Sequence, residues 1–232
     1  MDKQNRLPVM IAIAVMLFAA IFVALSGCGM VALPGVEPAR VESVERTGVL
    51  VEGAPALTVS VPNGEVRVAV GEAGRVGAVV TRRGYGPDEA AAQAAHDSLA
   101  VAFSQRGDEV RLEATLAEQL RQAQSHEAIL EVSVPPGTGL TIELANGIVE
   151  VAPAGADVTV ELANGQVTVL PGAADAFSLD ARVNNGTIES GYAEIVGGAG
   201  QQLRATGIVG AEPGYAVTVA INNGQVFVRP AR

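Results

Sequence analysis

The chain has 232 residues, enough for one domain of ordinary size plus a leader. Hydrophobic residues make up 49% but aromatics only 3%, with no tryptophan, so a core must be built from Val, Ile, Leu and Ala; 27 glycines suit many short strands and tight turns. A net charge of −10 repels phosphate backbones and argues against nucleic acid as a partner, and a single cysteine excludes an intramolecular disulfide or a cysteine-rich metal site.

Lys3 and Arg6 precede an unbroken apolar run from Val9 to Leu25, the charged and hydrophobic regions of a secretory signal. As a helix these 17 residues span roughly 26 Å, a little short of a ~30 Å hydrocarbon core. Leu25-Ser26-Gly27-Cys28 then decides between a cleaved leader and a permanent anchor. It resembles the lipobox of bacterial lipoproteins. That resemblance implies residues 1–27 as signal peptide, Cys28 as the acylated first residue of the mature chain, carrying diacylglycerol and often a further acyl group such as palmitate, and a location on the exported side of a cell membrane. Removing Asp2, Lys3 and Arg6 leaves 24 acids against 13 arginines, net −11. Residues 28–49, with Pro34, Gly35 and Pro38 and mixed Glu/Arg, read as a flexible tether ahead of a domain spanning 50–232.

The first Asn-Gly pair, Asn63-Gly64, opens the domain, and Val76 to Thr81 reads as a strand. Pro87-Asp88-Glu89 starts an Ala-rich helix running to about Ser98, with proline and acids in its first turn. Alternating Leu99, Val101, Phe103 and Val110, Leu112, Ala114 predict a hairpin about Gln105-Arg106-Gly107-Asp108. Leu116 to Glu127 reads as a loop or short helix, and Ile129 to Val134 as a strand, so 85–128 is expected to be a helix-and-hairpin insertion.

Further Asn-Gly pairs follow at Asn146-Gly147, Asn164-Gly165, Asn185-Gly186 and Asn223-Gly224. Alone, the dipeptide is an ordinary turn signal. Its flanks are what recur: apolar residues two and four before each Asn, and an apolar residue two after each Gly, as in Ile142, Leu144 and Val149. Asn spacings of 18, 21 and 38 suggest a period near 20, one supersecondary unit per repeat. This predicts an all-β domain, a single-stranded β-solenoid with Asn-Gly at a stacked corner, in preference to a meander of hairpins.

The succession of Asn-Gly strands, a strand ending in Arg82-Arg83-Gly84, a helix, a hairpin and "EVSVPPGTGLTIELANGIVEV" resembles the bacterial β-strand-repeat proteins known as putative adhesins. The resemblance covers roughly residues 50 to 232 and rests on structural motifs. It implies the fold and an envelope location, with some relatives linked to envelope-stress sensing, and it carries no catalytic residues across.

Several constellations invite chemistry. His126-Glu127 lacks a second histidine at 130, where Leu stands, and His96 is distant in sequence, so no metal is expected. Arg106-Gly107-Asp108 matches an adhesion tripeptide but suits a hairpin tip on turn geometry alone. Asn185-Gly186-Thr187 has the form of a glycosylation sequon but is a copy of the corner motif. Arg82-Arg83-Gly84-Tyr85-Gly86 before the helix could make an anion nest, with solvent-facing arginines at a strand exit as the simpler account. Glu143 and Glu161 each stand three residues before an Asn; on adjacent rungs they would repel unless solvated, bridged by Arg182 on the next rung, or joined by a cation. Paired carboxylates about 5 Å apart also suit retaining glycoside hydrolysis, though aromatic sugar platforms are lacking. The expectation is therefore a non-enzymatic, lipid-anchored envelope protein without cofactor, adhesive or scaffolding, binding an envelope protein or glycan through its repeat face. A regulatory, stress-sensing role is the alternative, and a cell-wall polysaccharide enzyme the third reading.

Overall fold

Apolar positions change parity across each Asn-Gly: Leu140, Ile142 and Leu144 precede Asn146, whereas Val149 and Val151 follow Gly147, and all five are buried. In a straight strand that change would turn the second group to solvent, because side chains alternate faces. The chain must bend at the glycine, so that both halves face one core. In the strand Phe177–Ser190 the bend shows directly. The Phe177 and Tyr192 rings lie 5.3 Å apart, although 15 extended residues would span about 50 Å.

The computed structural model describes residues 38–117, 125–172 and 175–231; the expected signal peptide (1–27), Cys28 and the expected tether as far as residue 37 lie outside them. The chain from Ala39 onward forms one compact unit. It consists of β1 (Ala39–Leu50), β2 (Ala56–Val70), β3 (Arg75–Gly86), α1 (Glu89–Asp97), β4 (Leu99–Arg106), β5 (Glu109–Leu116), β6 (Ser125–Val134), β7 (Gly139–Val151), β8 (Val158–Val169), β9 (Phe177–Ser190), β10 (Gly198–Val209) and β11 (Tyr215–Val228). The fold is mostly β, with one small helix and one open sheet in the order β1-β3-β6-β2-β7-β8-β11-β9-β10.

The five Asn-Gly strands lie side by side, parallel and in register. Chain order is not spatial order, however, since β11 inserts between β8 and β9. Antiparallel strands flank the parallel block, β10 against β9 at one end and β3 against β6 and β1 at the other. One coil per repeat, stacked in chain order, is therefore not what the sheet follows.

Two sequence expectations are corrected. Residues 39–49, read as tether, belong to β1, which pairs along its whole length with β3. Their mixed charge marks an edge strand, where charged side chains discourage further pairing. The region 85–128 is also not wholly an insertion. Residues of β5 pair with the first half of β2, and residues of β6 with its second half, so two segments together supply one rung. Helix α1 closes the core here, with Asp88 capping Ala91 N and with Ala92, Ala95 and His96 buried. Gly84 and Gly86 of β3 let it approach, because a Cβ at Gly84 would stand 2.2 Å from His96 N. At the far end Phe177, Tyr192 and Tyr215 form an aromatic plug, and the Tyr215 hydroxyl donates to Asp175 at 2.8 Å.

Candidate functional site: the corner spine and the outer groove

The bend rests on two columns. Gly64, Gly147, Gly165, Gly224 and Gly186 all have φ between +140° and +152°, a region that only glycine adopts readily. They also stack so closely that a Cβ on Gly147 would lie 1.8 Å from the Gly64 carbonyl oxygen, and the same contact recurs up the column. Beside them the asparagine side chains form one chain of hydrogen bonds. Asn185 donates to Asn223 (3.1 Å), Asn223 to Asn164 (2.8 Å), Asn164 to Asn146 (2.9 Å) and Asn146 to Asn63 (2.8 Å). A second rail runs from Asn184 to Asn222. Repetition of one amide geometry at strand spacing locks the register, because a slip of one residue would break every rung at once.

The ladder ends on His126. Asn63 Nδ2 lies 2.9 Å from His126 Nε2, an arrangement that suits a neutral ring accepting at Nε2 with its proton on Nδ1, a buried atom that has no hydrogen-bond partner among the described residues. Burial pulls the His126 pKa below its usual value of 6.5. A base with a depressed folded pKa contributes stability that is fully present above about pH 6.5 and is lost as the pH falls toward the folded value. Denaturant midpoints measured from pH 7.5 down to 5.5 should therefore fall for the native chain, by at most ~1.4 kcal/mol per pH unit, and stay flat for His126→Gln. A flat native profile would remove His126 from the account. The ion-paired carboxylates act in a lower range: Asp180 is held below the usual carboxylate value by Arg204 and Arg182, and Glu42 by Arg83.

Outside the bend, Glu143 of β7 pairs in register with Glu161 of β8 as the sequence predicts. Both are solvent-exposed, and the row continues the other way through Ser60 to Glu113. Glu113 was not legible as a member, since β5 carries no Asn-Gly; only pairing with β2 brings it there. The expected role of Arg182 is corrected, because Ala220 of the inserted β11 stands between it and Glu161. Arg182 instead binds Asp180 at 2.8 Å, and Arg204 of β10 binds the same carboxylate at 3.0 Å. Together these rows border a groove of ≈ 640 Å³ along the stack, lined among others by Glu113, Glu143, Glu161, Ala145, Ala163 and Arg182.

The other sequence candidates have structural partners. Arg83 is bound by Glu42 (2.7 Å) and Glu127 (3.2 Å), Arg82 donates to the Leu99 carbonyl, and Asp88 occupies the helix N-terminus, so the segment 82–86 forms no anion nest. Glu127 also accepts from the Tyr85 hydroxyl. Gly107 sits at the exposed β4–β5 tip with φ +60°, the turn geometry that accounts for its Arg-Gly-Asp. Among the described residues, no group of three metal-ligating side chains comes together.

No family model and no curated protein matches the chain. Solved structures do. A "putative cell adhesion protein" from Clostridium sporogenes is 11% identical, with a TM-score of 0.44, covering 81% of this chain and 100% of its own. A "putative adhesin" from Parabacteroides distasonis is 9% identical, with a TM-score of 0.26 over 80% of this chain and 97% of its own. Another "putative adhesin", from Bacteroides fragilis, is 7% identical, with a TM-score of 0.25 over 81% and 97%. The structural neighbours of this chain are thus bacterial proteins so named.

Proposed function

We propose that the chain is a non-enzymatic lipoprotein of the bacterial cell envelope, anchored through Cys28, which adheres or scaffolds through the outer face of a solenoid-like stack. One observation carries the binding face: in-register pairing sets Glu113, Ser60, Glu143 and Glu161 side by side on neighbouring strands, bordering a groove. Such a row presents three carboxylates one or two strand spacings of about 4.8 Å apart, with Ser60 between Glu113 and Glu143, suited to extended ligands and to several weak contacts. A binding role is favoured over hydrolysis because Glu143 and Glu161 occupy equivalent exposed positions. Both are exposed, whereas an acid and a nucleophile need environments that set the two carboxyls apart. The groove lining also has no aromatic ring for a sugar to stack on.

Co-sedimentation of the full-length chain with isolated bacterial cell walls tests this reading. Replacing Glu113, Glu143 and Glu161 together by Gln should lower the bound fraction roughly three- to tenfold while leaving the melting temperature unchanged, the scale of a few exposed charge contacts. Equal binding by both proteins would move the binding face elsewhere. Wall-cleaving activity present in the native chain and lost in the variant would restore the enzyme reading.

A further inference from the structure

The two end strands of the stack meet water differently. Among the described residues β1 pairs only with β3, and β10 only with β9. β1 carries Arg40, Glu42, Glu45 and Arg46, the charge pattern that deters a further strand. The twelve residues of β10 hold one charge, Arg204, and it is bound to Asp180. With no lysine and no proline either, the outer edge of β10 leaves its backbone N–H and C=O groups open to pairing. The corner geometry also runs on into this strand. Gly200 stands opposite Gly186 at φ +141°, and Gln201 stands opposite Asn185. Among the described residues only Gln202, at φ +51°, holds a positive φ without being glycine, so the corner is kept against the preference of an L side chain. A Cβ on any of the five column glycines would meet a carbonyl oxygen of the neighbouring strand at 1.7–1.8 Å, whereas one on Gly200 would meet nothing within 4 Å. Neither glutamine side chain has a hydrogen bond among the described residues. Glycine space and amides that elsewhere serve a stacked neighbour are thus present where none is stacked.

Parity decides what can stack there. Leu203, Ala205 and Gly207 oppose the buried Val183, Ala181 and Leu179 and so face inward; beyond the corner, Gly198 opposes the buried Ile188. Inward positions are therefore odd-numbered on one arm of β10 and even-numbered on the other. A second β10 laid antiparallel on the first, corner on corner and inward faces matched, must centre between Gln201 and Gln202. It sets Gln201 against Gln202 of the other copy, Leu203 against Gly200, Arg204 against Ala199 and Ala205 against Gly198, each pair twice. Long side chains meet short ones, and no like charges meet. Val196, 79% exposed just before the strand, comes against Gly207.

We propose that two copies of this chain associate through β10 as a two-fold dimer, the strands pairing antiparallel about Gln201-Gln202. The contact is isologous and occupies the open edge of both copies, so it closes at two. Head-to-tail growth would need β1, whose charges stand against it. The dimer depends neither on the acidic row nor on Cys28.

Sedimentation equilibrium of the full-length chain in density-matched detergent tests it. The native chain should pass from monomer to dimer between about 1 and 100 μM. Ala199→Lys puts a lysine against Arg204 of the other copy, twice, and should weaken the dimer roughly tenfold; Ala199→Glu should tighten it roughly threefold. Val44→Lys, an exposed change on β1, should leave association unmoved. Ala199 is exposed too, so the melting temperature of each variant at dilutions where the native chain is monomeric should not move, which separates lost pairing from lost folding. A monomer at every concentration up to about 100 μM, growth beyond two copies, equal association of Ala199→Lys and Val44→Lys, or an Ala199→Glu dimer as weak as that of Ala199→Lys would overturn the proposal.

Discussion

Gly165→Ala is expected to destabilise the domain by about 2–5 kcal/mol, a large share of the 5–15 kcal/mol that holds most domains together. Two effects add. With φ at +140°, Gly165 lies where an L side chain costs on the order of 1–2 kcal/mol. The new methyl would also stand 1.8 Å from the Gly147 carbonyl oxygen and 2.9 Å from its carbon. That neighbour is backbone in a hydrogen-bonded strand and cannot rotate away, so β7 and β8 must separate, with a further overpacking cost of about 1–3 kcal/mol. Gly107→Ala is the matched control. It too has positive φ, but a methyl there meets nothing within 4 Å, so only the conformational cost of about 1 kcal/mol remains. Urea unfolding of the two variants beside the native chain gives the comparison. Equal shifts in midpoint would mean that the column is ordinary turn geometry and contributes nothing through close stacking.

The same column explains which parts of the fold the sequence discloses. A bend with both flanks facing inward is a local property, written in the parity change around each Asn-Gly, and the corner was legible for that reason. Stacking order is not local. Every rung offers the same amide and the same glycine, so Asn223 suits a place after Asn185 as well as one between Asn164 and Asn185. What selects the place lies outside the motif: the Phe177–Tyr215 stack beneath the rung, and β10, which covers the far side of β9. Glu143 and Glu161 were readable because they precede consecutive corners of adjacent rungs. Arg182 was misplaced by the same logic, since adjacency in chain order was taken for adjacency in space. His126 gave no usable signal, because only the docking of β6 on β2 brings it to the end of the ladder. Arg46 was hidden in a charged stretch that resembles a linker until its pairing with β3 makes it an edge strand.

Cys28→Ser should produce the largest change in the behaviour of the whole protein. The native chain, purified from membranes, is expected to have a mass corresponding to an amino terminus at residue 28 plus two or three acyl chains. The variant should retain Met1 and carry no lipid. Energetics make the distinction observable: each buried methylene contributes ~0.8 kcal/mol, and one chain holds a protein only marginally whereas two or more hold it firmly. Residues 28–232 carry a net charge of −11, which repels anionic headgroups, and among the described residues no helix is long and apolar enough to cross a bilayer. Native protein should therefore stay with membranes through high salt and alkaline washing, conditions that strip electrostatic attachments. Mass spectrometry of the intact chain separates the outcomes. A native protein that begins at Met1 without acyl groups would leave the run from Val9 to Leu25 as a plain membrane anchor and Cys28 without a role.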